Sequence, residues 1–192
     1  MKKFLASALM LLAASTTTFA QNAVGSFSLQ PKAGISIADM TDTQGTTSRI
    51  GFVGGLEGEY QASDIFSLSL GVNYSQEGFK MKNSDNKIKL DYINVPILAN
   101  VYLTKGLAVK VGAQPGFNVG NSVTVDGNTM SSSKKDYDGI KSVALSIPVG
   151  LSYEISNVVL DARYNWGVTK AFDGLDSKNS VFQVTIGYKF QL

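Results

Sequence analysis

The sequence predicts an all-β fold: an eight-stranded antiparallel up-and-down transmembrane β-barrel that follows an N-terminal signal peptide. Three observations predict this fold. Apolar residues alternate with small or polar residues along most of the chain, the alternating segments number eight, and short and long connections take turns between them. A period of two residues is the pattern of β-strands. An even strand number, with tight turns at one end and longer loops at the other, is typical of barrels that span a membrane.

The first twenty residues predict a cleaved secretory signal peptide. Lys2 and Lys3 precede an apolar stretch, 4–14, and small or polar residues follow it up to Ala20. This stretch is about half as long as the roughly 20 residues that a membrane-spanning helix requires. We therefore expect 1–20 to be removed and 21–192 to form one exported barrel domain.

The composition argues against several classes of function. Charged residues make up 17% of the 192 residues, below the roughly 25% usual in soluble domains. The chain contains neither Cys nor His, so disulfides and the commonest general base and metal ligand are missing. Without the signal peptide, basic and acidic residues are equal in number, 15 of each. We therefore expect no enzyme activity, no cofactor, no metal site and no nucleic-acid partner.

The eight predicted strands are joined by connections of two kinds. The strands are 27–39, 50–61, 65–79, 88–104, 107–119, 140–155, 158–169 and 181–192. The short turns are 62–64, 105–106 and 156–157, and the long polar links are 40–49, 80–87, 120–139 and 170–178. All the short turns and both chain termini therefore lie at one end of the barrel, and all the long links lie at the other.

Two features do not fit regular strands. Pro31, Pro96, Pro115 and Pro148 fall inside predicted strands, where proline cannot donate a ladder hydrogen bond. The alternation also shifts by one residue at Tyr92-Ile93, since the apolar residues before this point occupy even positions and those after it occupy odd ones. A β-bulge at Tyr92-Ile93 would account for both features.

The second face of the strands decides which way the apolar face points. In the sixth strand this second face reads Ala144, Ser146, Pro148, Gly150 and Ser152. Small and polar residues suit the narrow interior of an eight-stranded barrel. A soluble lipocalin-like carrier would instead carry many Lys and Glu residues on its outer face. We therefore expect the apolar face to meet lipid.

Charged residues on the second face are expected to lie in the lumen. They number four of each sign, and they are Lys32, Glu57, Glu59, Lys110, Glu154, Asp161, Arg163 and Lys189. Unpaired charges are costly in such an interior, so the balance favours salt bridges that fill the lumen. A selectivity ring in a narrow channel is the alternative interpretation. Paired carboxylates for acid/base chemistry, at Glu57 and Glu59, are a further and weaker one.

Aromatic residues on the apolar face are expected to form two interfacial belts. Those near the short-turn end are Tyr60, Phe66, Tyr153, Tyr188 and Phe190. Those near the long-loop end are Phe52, Tyr74, Phe117, Tyr164, Trp166 and Phe182. Such belts flank the apolar band of membrane barrels, although Tyr and Phe also favour strands in general. Tyr102 does not fit, because its position in the alternation points inward.

Four stretches resemble the outer-membrane β-barrel family often labelled "porin family protein". They are DYINVPILANVYL (91–103), VGAQPGFNVG (111–120), DARYNWGVT (161–169) and KNSVFQVTIGYKF (178–190). The resemblance implies an eight-stranded barrel with an architecture like that of OmpX and the OmpA barrel, located in the outer membrane of a Gram-negative bacterium. Tyr188, Phe190 and Leu192 resemble the C-terminal signal read by the outer-membrane assembly machinery, which usually ends in Phe rather than Leu.

The function that these observations favour is a structural or surface-interaction role through the long loops. Loop 120–139, with Met130 and Tyr137 as possible contacts, is the best candidate for binding an extracellular ligand. A narrow channel for ions or small solutes is the main alternative. A soluble periplasmic carrier and a membrane enzyme that works without His are weaker alternatives.

Overall fold

The computed structural model describes residues 23–41, 46–81, 86–125, 128–132, 141–170 and 177–192. The strands are β1 (Phe27–Met40), β2 (Thr46–Ser63), β3 (Phe66–Met81), β4 (Lys87–Asn94), β5 (Ile97–Thr104), β6 (Leu107–Val125), β7 (Asn128–Ser132), β8 (Val143–Ile155), β9 (Val158–Lys170), β10 (Lys178–Tyr188) and β11 (Phe190–Gln191). The predicted signal peptide, 1–20, lies outside the described residues. No helix within the described ranges is long and apolar enough to cross a membrane.

The strands close into one antiparallel ring. β4 and β5 are two halves of one strand, and β10 and β11 are two halves of another, so eight strands form the wall. β1 pairs with β2 on one side and with β10 and β11 on the other, which leaves no open edge between the first and last strands. The predicted eight-stranded up-and-down barrel is therefore confirmed.

The three short turns lie where the sequence predicts them, to within two residues. The turn at 105–106 depends on Gly106, whose φ of +85° lies in the left-handed region. The turn at 156–157 places Ser156 in the same region, with a φ of +57°. Such turns let each hairpin reverse within two residues and keep the neighbouring strands in register.

The wall is polar on the inside and apolar on the outside. Along β9, exposed and buried residues alternate almost without interruption, and the exposed ones are mostly Val, Leu, Tyr and Trp. The buried set is dominated by Ser, Asn, Gln and charged side chains from nearly every strand. This arrangement is the reverse of that in a soluble barrel, and it contradicts the alternative of a carrier with an apolar lumen.

The predicted β-bulge does not interrupt the alternation of the fourth strand at Tyr92-Ile93, although the ladder between β4 and β6 is irregular beside this point. Leu90, Tyr92 and Asn94 are buried, at 0%, 1% and 4% exposure, so the even positions of β4 point inward both before and after this point. The pairing with β3 also keeps one register from β4 through β5. The apparent shift arises because the lumen is partly apolar near the long loops, where Met40, Phe79 and Ile88 pack together. A register irregularity does occur here, but it lies in β6, where Val119 is the extra residue opposite Asp91 and Tyr92.

The prolines are accommodated without such a bulge in the fourth strand. Pro96 separates β4 from β5, and its carbonyl oxygen still accepts a bond of 2.9 Å from the Gly71 amide. The carbonyl oxygen of Pro115 accepts a bond of 2.8 Å from the Val95 amide. Each of these two prolines therefore lacks a donor for the ladder, while its carbonyl oxygen still accepts a hydrogen bond.

Several strands extend further toward the long-loop end than the sequence predicts. β2 begins at Thr46 rather than at Ile50, and β6 continues to Val125 rather than ending at Val119. β7 pairs with the end of β6, so part of the predicted loop 120–139 is a β-hairpin instead. These extensions consist mainly of polar residues, with Val123 and Val125 as the exceptions in β6. The alternation that marks the strands elsewhere is therefore missing from them.

Candidate functional site: the charged lumen

The inward faces of five strands and the short break after β10 carry the eight predicted lumen charges. Seven of these residues are buried to 7% exposure or less, and the Glu154 side chain is 14% exposed. β2 supplies Glu57 and Glu59, while β9 supplies Asp161 and Arg163. Because residues two apart in a strand point the same way, each of these pairs presents two charges to the lumen.

Five of the charges form what we call the central cluster: Lys32, Glu57, Lys110, Asp161 and Arg163. The Glu57 carboxylate forms ion pairs with Lys32, with Lys110 at 2.8 Å and with Arg163 at 3.2 Å. The Asp161 carboxylate lies 3.2 Å from Lys110 and 2.9 Å from Arg163. Each acid is thus shared between basic residues from different strands, and the cluster combines three positive charges with two negative ones.

A glycine makes room for the largest side chain of the central cluster. Gly150 lies between Lys110 on one neighbouring strand and Arg163 on the other. A Cβ atom at this position would lie 3.0 Å from the Arg163 Cα atom and 2.6 Å from the Ala162 carbonyl oxygen. A larger residue at Gly150 would therefore crowd the strand that positions the guanidinium.

The other three charges form what we call the lower cluster, near the short-turn end: Glu59, Glu154 and Lys189. The Lys189 ammonium lies 3.1 Å from Glu59 and 2.7 Å from Glu154. The Ser67 hydroxyl donates a 2.6 Å hydrogen bond to Glu59, and the Tyr102 hydroxyl donates another. Tyr102, which does not fit the aromatic belts, thus points inward and holds a carboxylate. The net charges of the two clusters are opposite and cancel.

Two further buried charges lie near the long loops, Arg49 and Glu77, and they were not predicted from the sequence. Arg49 donates a hydrogen bond to the Glu77 main-chain carbonyl oxygen. The Glu77 carboxylate accepts bonds from Ser75 at 2.6 Å, from Asn94 at 3.1 Å and from Asn179 at 3.1 Å. The alternation of β3 places Glu77 on the inward face, and this pattern could have identified it from the sequence. Arg49 lies one residue before the predicted start of its strand, so no alternation was assigned to it.

The predicted interfacial aromatics lie on the outer face of the wall. Phe66 and Tyr153 are half-buried among their neighbours, while the others are exposed. Some form pairs, since the Tyr188 and Phe190 ring centroids are 4.8 Å apart and Phe27, which was not predicted, lies 4.7 Å from Tyr60. Their role as membrane-interface belts stays a prediction.

The C-terminal strand is anchored to the first strand. Phe190 pairs with Leu29, and the Leu192 amide donates a 2.9 Å bond to the Phe27 carbonyl oxygen. Tyr188, Phe190 and Leu192 are all exposed on the outer face. Their proposed reading by the assembly machinery stays a prediction. Of the two loop residues predicted as contacts, Met130 belongs to β7 and Tyr137 lies outside the described residues.

The lumen offers little for catalysis. Its carboxylates at Glu57, Glu59 and Asp161 are each held by basic side chains, which makes them poor bases. Across the described ranges, no three Asp, Glu, Cys or His side chains gather as a metal-ligand set. In the central and lower clusters, the buried charges are paired with one another.

Comparison with known proteins places this geometry among membrane barrels. Residues 19–173 match the family model described as outer membrane protein beta-barrel domain. Among curated proteins, none matches the chain.

Three solved structures share the fold. Neisserial surface protein A (NspA) aligns with a TM-score of 0.57 and 21% identity, covering 85% of this chain and 97% of that one. Ail, the attachment invasion locus protein of Yersinia pestis, aligns with a TM-score of 0.52 and 20% identity, covering 87% and 99%. Ail in complex with the heparin analogue sucrose octasulfate aligns with a TM-score of 0.51 and 19% identity, with the same coverage. At these identities the likeness shows a shared fold alone.

Proposed function

We propose that this chain, which belongs to the outer membrane protein β-barrel domain family, is a non-enzymatic barrel with a closed lumen that makes surface contacts through its long-loop end. Membership of the family confirms the resemblance seen in the sequence. It places the protein in the bacterial outer membrane, with the apolar outer face in lipid. The closed lumen and the surface contacts are the proposal.

The central cluster is the observation that supports a closed lumen. Its members come from β1, β2, β6 and β9, and among these strands β1 and β2 alone are neighbours in the ring. Glu57 is therefore linked to Lys110 and Arg163 across the interior, rather than along the wall. Eight strands enclose an interior that side chains can fill, whereas aqueous channels normally have many more strands.

The energetics of buried charge also favour a permanent closure. Moving one member of a buried ion pair away leaves its partner uncompensated, which typically costs about 3–5 kcal/mol. Opening a channel through the central cluster would require several buried ion pairs to separate at once, because Glu57 has three basic partners. We therefore disfavour the narrow-channel alternative.

Solute entry into liposomes tests the closed lumen. Proteoliposomes that contain the folded protein should swell no faster in an isotonic solution of a small neutral solute than liposomes without protein. A large-pore porin reconstituted at the same protein-to-lipid ratio is the positive control. Swelling at a rate close to that of the porin would show that solutes pass and would contradict the closed lumen.

The proposed surface contact rests on three lysines at the long-loop end: Lys80 of β3 and Lys87 and Lys89 of β4. Lys80 and Lys87 lie directly opposite each other in the ladder, and Lys89 is two residues further along the same strand. Like charges directly opposite each other are unfavourable, so an anionic group bound between them would stabilise the pair. We infer a sulfated or otherwise anionic polysaccharide as the ligand class. Ail binds a heparin analogue, but the inference rests on the lysines of this chain.

Retention on immobilised heparin tests this surface. The triple variant Lys80→Gln, Lys87→Gln and Lys89→Gln should elute at lower salt than the wild-type protein, because each lysine contributes a screened electrostatic contact. Lys105→Gln, which alters a lysine in a short turn at the opposite end, is the control and should elute like the wild type. Equal elution of all three proteins would contradict the proposed surface.

Export and assembly complete the proposal. Residues 1–20 have the pattern of a signal peptide, and Tyr188, Phe190 and Leu192 present exposed apolar side chains on the last strand. We propose that the first segment is cleaved during export and that the last three residues are recognised by the assembly machinery.

A further inference from the structure

A small polar cavity lies in the lumen toward the long-loop end, apart from both charge clusters. Its lining includes Glu77, Tyr92, Asn94, Gln114 and Asn165. The space open to a water-sized sphere is about 20 Å³. A site needs roughly 10–15 Å³ of such space to hold one water-sized species, so the cavity accepts one small ion or molecule.

Glu77 gives this cavity an uncompensated negative charge. The residue is 4% exposed, and the bonds to its carboxylate come from the neutral side chains of Ser75, Asn94 and Asn179. Within the part of the chain that the structure describes, no basic side chain forms an ion pair with this carboxylate. Arg49 is bonded to its main-chain carbonyl oxygen instead. By contrast, Glu57 in the central cluster has three basic partners.

Two buried amide side chains that line the cavity have polar atoms without hydrogen-bond partners. Asn165 is 2% exposed, and neither its Oδ1 nor its Nδ2 atom has a hydrogen-bond partner among the described protein atoms. The same holds for the Oε1 atom of Gln114, in a residue that is 3% exposed. Buried polar atoms are normally satisfied, so unsatisfied oxygens beside a buried carboxylate indicate a ligand.

A glycine keeps the cavity from being filled. A Cβ atom at Gly116, which lines the cavity, would lie 2.3 Å from the Asn94 Oδ1 atom. Any side chain at this position would displace the amide that bonds to Glu77. The open space of the cavity and the hydrogen bond between Asn94 and Glu77 therefore both depend on this glycine.

We propose that this cavity binds one monovalent inorganic cation of about the size of sodium, held by the carboxylate of Glu77 and the amide oxygens of Gln114 and Asn165. Oxygen ligands are those that hard cations prefer. Glu77 is the one acid among the described residues that line the cavity, so a single positive charge balances it. A divalent ion would leave an excess positive charge in a poorly solvated interior.

Thermal unfolding at constant ionic strength tests the proposal. The folded wild-type protein is compared in sodium chloride and in choline chloride, whose cation is too large for the cavity. Bound sodium stabilises the folded state alone, so the unfolding midpoint should stay constant below the dissociation constant and rise with the logarithm of the sodium concentration above it, by about 3–6 °C for each tenfold increase in a chain of this size. Equal midpoints in the two salts would overturn the proposal and leave an uncharged species such as water in the cavity.

Single substitutions test whether the effect of sodium on the unfolding midpoint arises at this cavity. Glu77→Gln keeps the shape of the side chain and removes its charge, so its midpoint should be the same in both salts. Glu154→Gln makes the same change of charge in the lower cluster, away from the cavity, and should keep the sodium response. Asn165→Ser is a second variant, for use if Glu77→Gln does not fold. It removes one amide oxygen and should shift the sodium response to a higher sodium concentration. A sodium response that all three variants retain would overturn the assignment to this cavity.

Direct observation of the ion is the complementary test. Crystals of the wild-type protein soaked in a thallium(I) salt should show an anomalous peak beside the Glu77 carboxylate. Crystals of Glu77→Gln treated in the same way should lack it. If the wild-type crystals show no such peak even though sodium raises the unfolding midpoint of the protein, the ion binds elsewhere. That result would overturn the proposed site.

Discussion

At the scale of single residues, Glu57 is the centre of the lumen. It contacts three basic residues from three strands, and it is 1% exposed. Without its charge, Lys32, Lys110 and Arg163 would have Asp161 as the remaining acid of the central cluster. The repulsion among three buried cations would then act against the folded barrel.

We predict that Glu57→Gln lowers the free energy of unfolding by about 3–5 kcal/mol, as expected when one partner of a buried pair is removed. Urea titration of the folded protein in lipid vesicles measures this change. Glu154→Gln is the matched control and should cost less than half as much, because Lys189 keeps its contact with Glu59. Adding Arg163→Met to Glu57→Gln should recover part of the loss. A Glu57→Gln barrel as stable as the wild type would contradict the role given to this residue.

The residues of the lumen were partly predictable. Strand alternation alone assigned Lys32, Lys110 and the other predicted charges to the inward face, because a residue's parity sets the side on which it lies. Which acid pairs with which base was not predictable, since pairs such as Glu57 with Arg163 cross the barrel rather than follow the ladder. Glu77 has the same parity as the inward-facing residues of β3, but it was not predicted to face the lumen because inward positions were assigned only as far as Ser75.

At the scale of elements, the last strand joins the two ends of the chain. β10 and β11 pair with β1 along almost the whole strand, and Tyr188 and Phe190 stand exposed at the short-turn end. Tyr188 is 46% exposed and Phe190 is 50% exposed, and their rings contact each other. Both rings therefore face the surroundings of the barrel rather than its interior.

We predict that the double variant Tyr188→Ser and Phe190→Ser impairs insertion into the outer membrane. Both changes remove outward apolar surface from the strand that closes the ring, and with it the proposed assembly signal. The fraction of protein with a heat-modifiable electrophoretic shift in isolated outer membranes measures insertion. Phe182→Ser, on the same strand but nearer the long loops, is the control and should insert like the wild type. A normal folded fraction for the double variant would count against the assembly signal.

Strands β4 and β6 show where the alternation of apolar and polar residues no longer indicates which way a side chain points. Near the long loops, β4 places Leu90 and Tyr92 in the lumen, so apolar residues occupy the inward face there and mimic a change of register. Beyond Val119, β6 continues as a polar hairpin arm that the sequence suggested to be a loop. In both places the contrast between lipid and lumen is lost, and with it the signal that the sequence carried elsewhere.

At the scale of the whole molecule, the barrel combines an apolar outer wall with a charged but balanced interior. The central cluster has an excess of one positive charge, the lower cluster has an excess of one negative charge, and the two lie in succession along the lumen. The strand number, the antiparallel order and the direction of the apolar face were all predictable, because lipid outside and a narrow interior constrain every strand in the same way. The ligand at the long loops was not predictable, since loops are free of that constraint.

Ion conductance through the wild-type barrel in a planar lipid bilayer tests the closed lumen most directly. With the central cluster intact, insertion of the folded protein should produce no current steps above those of the bilayer alone, in molar potassium chloride and at voltages of either sign. Insertion is verified separately by recovering heat-modifiable protein from the same vesicles. Regular ohmic current steps from verified wild-type protein would show a continuous water-filled path and would contradict the closed lumen.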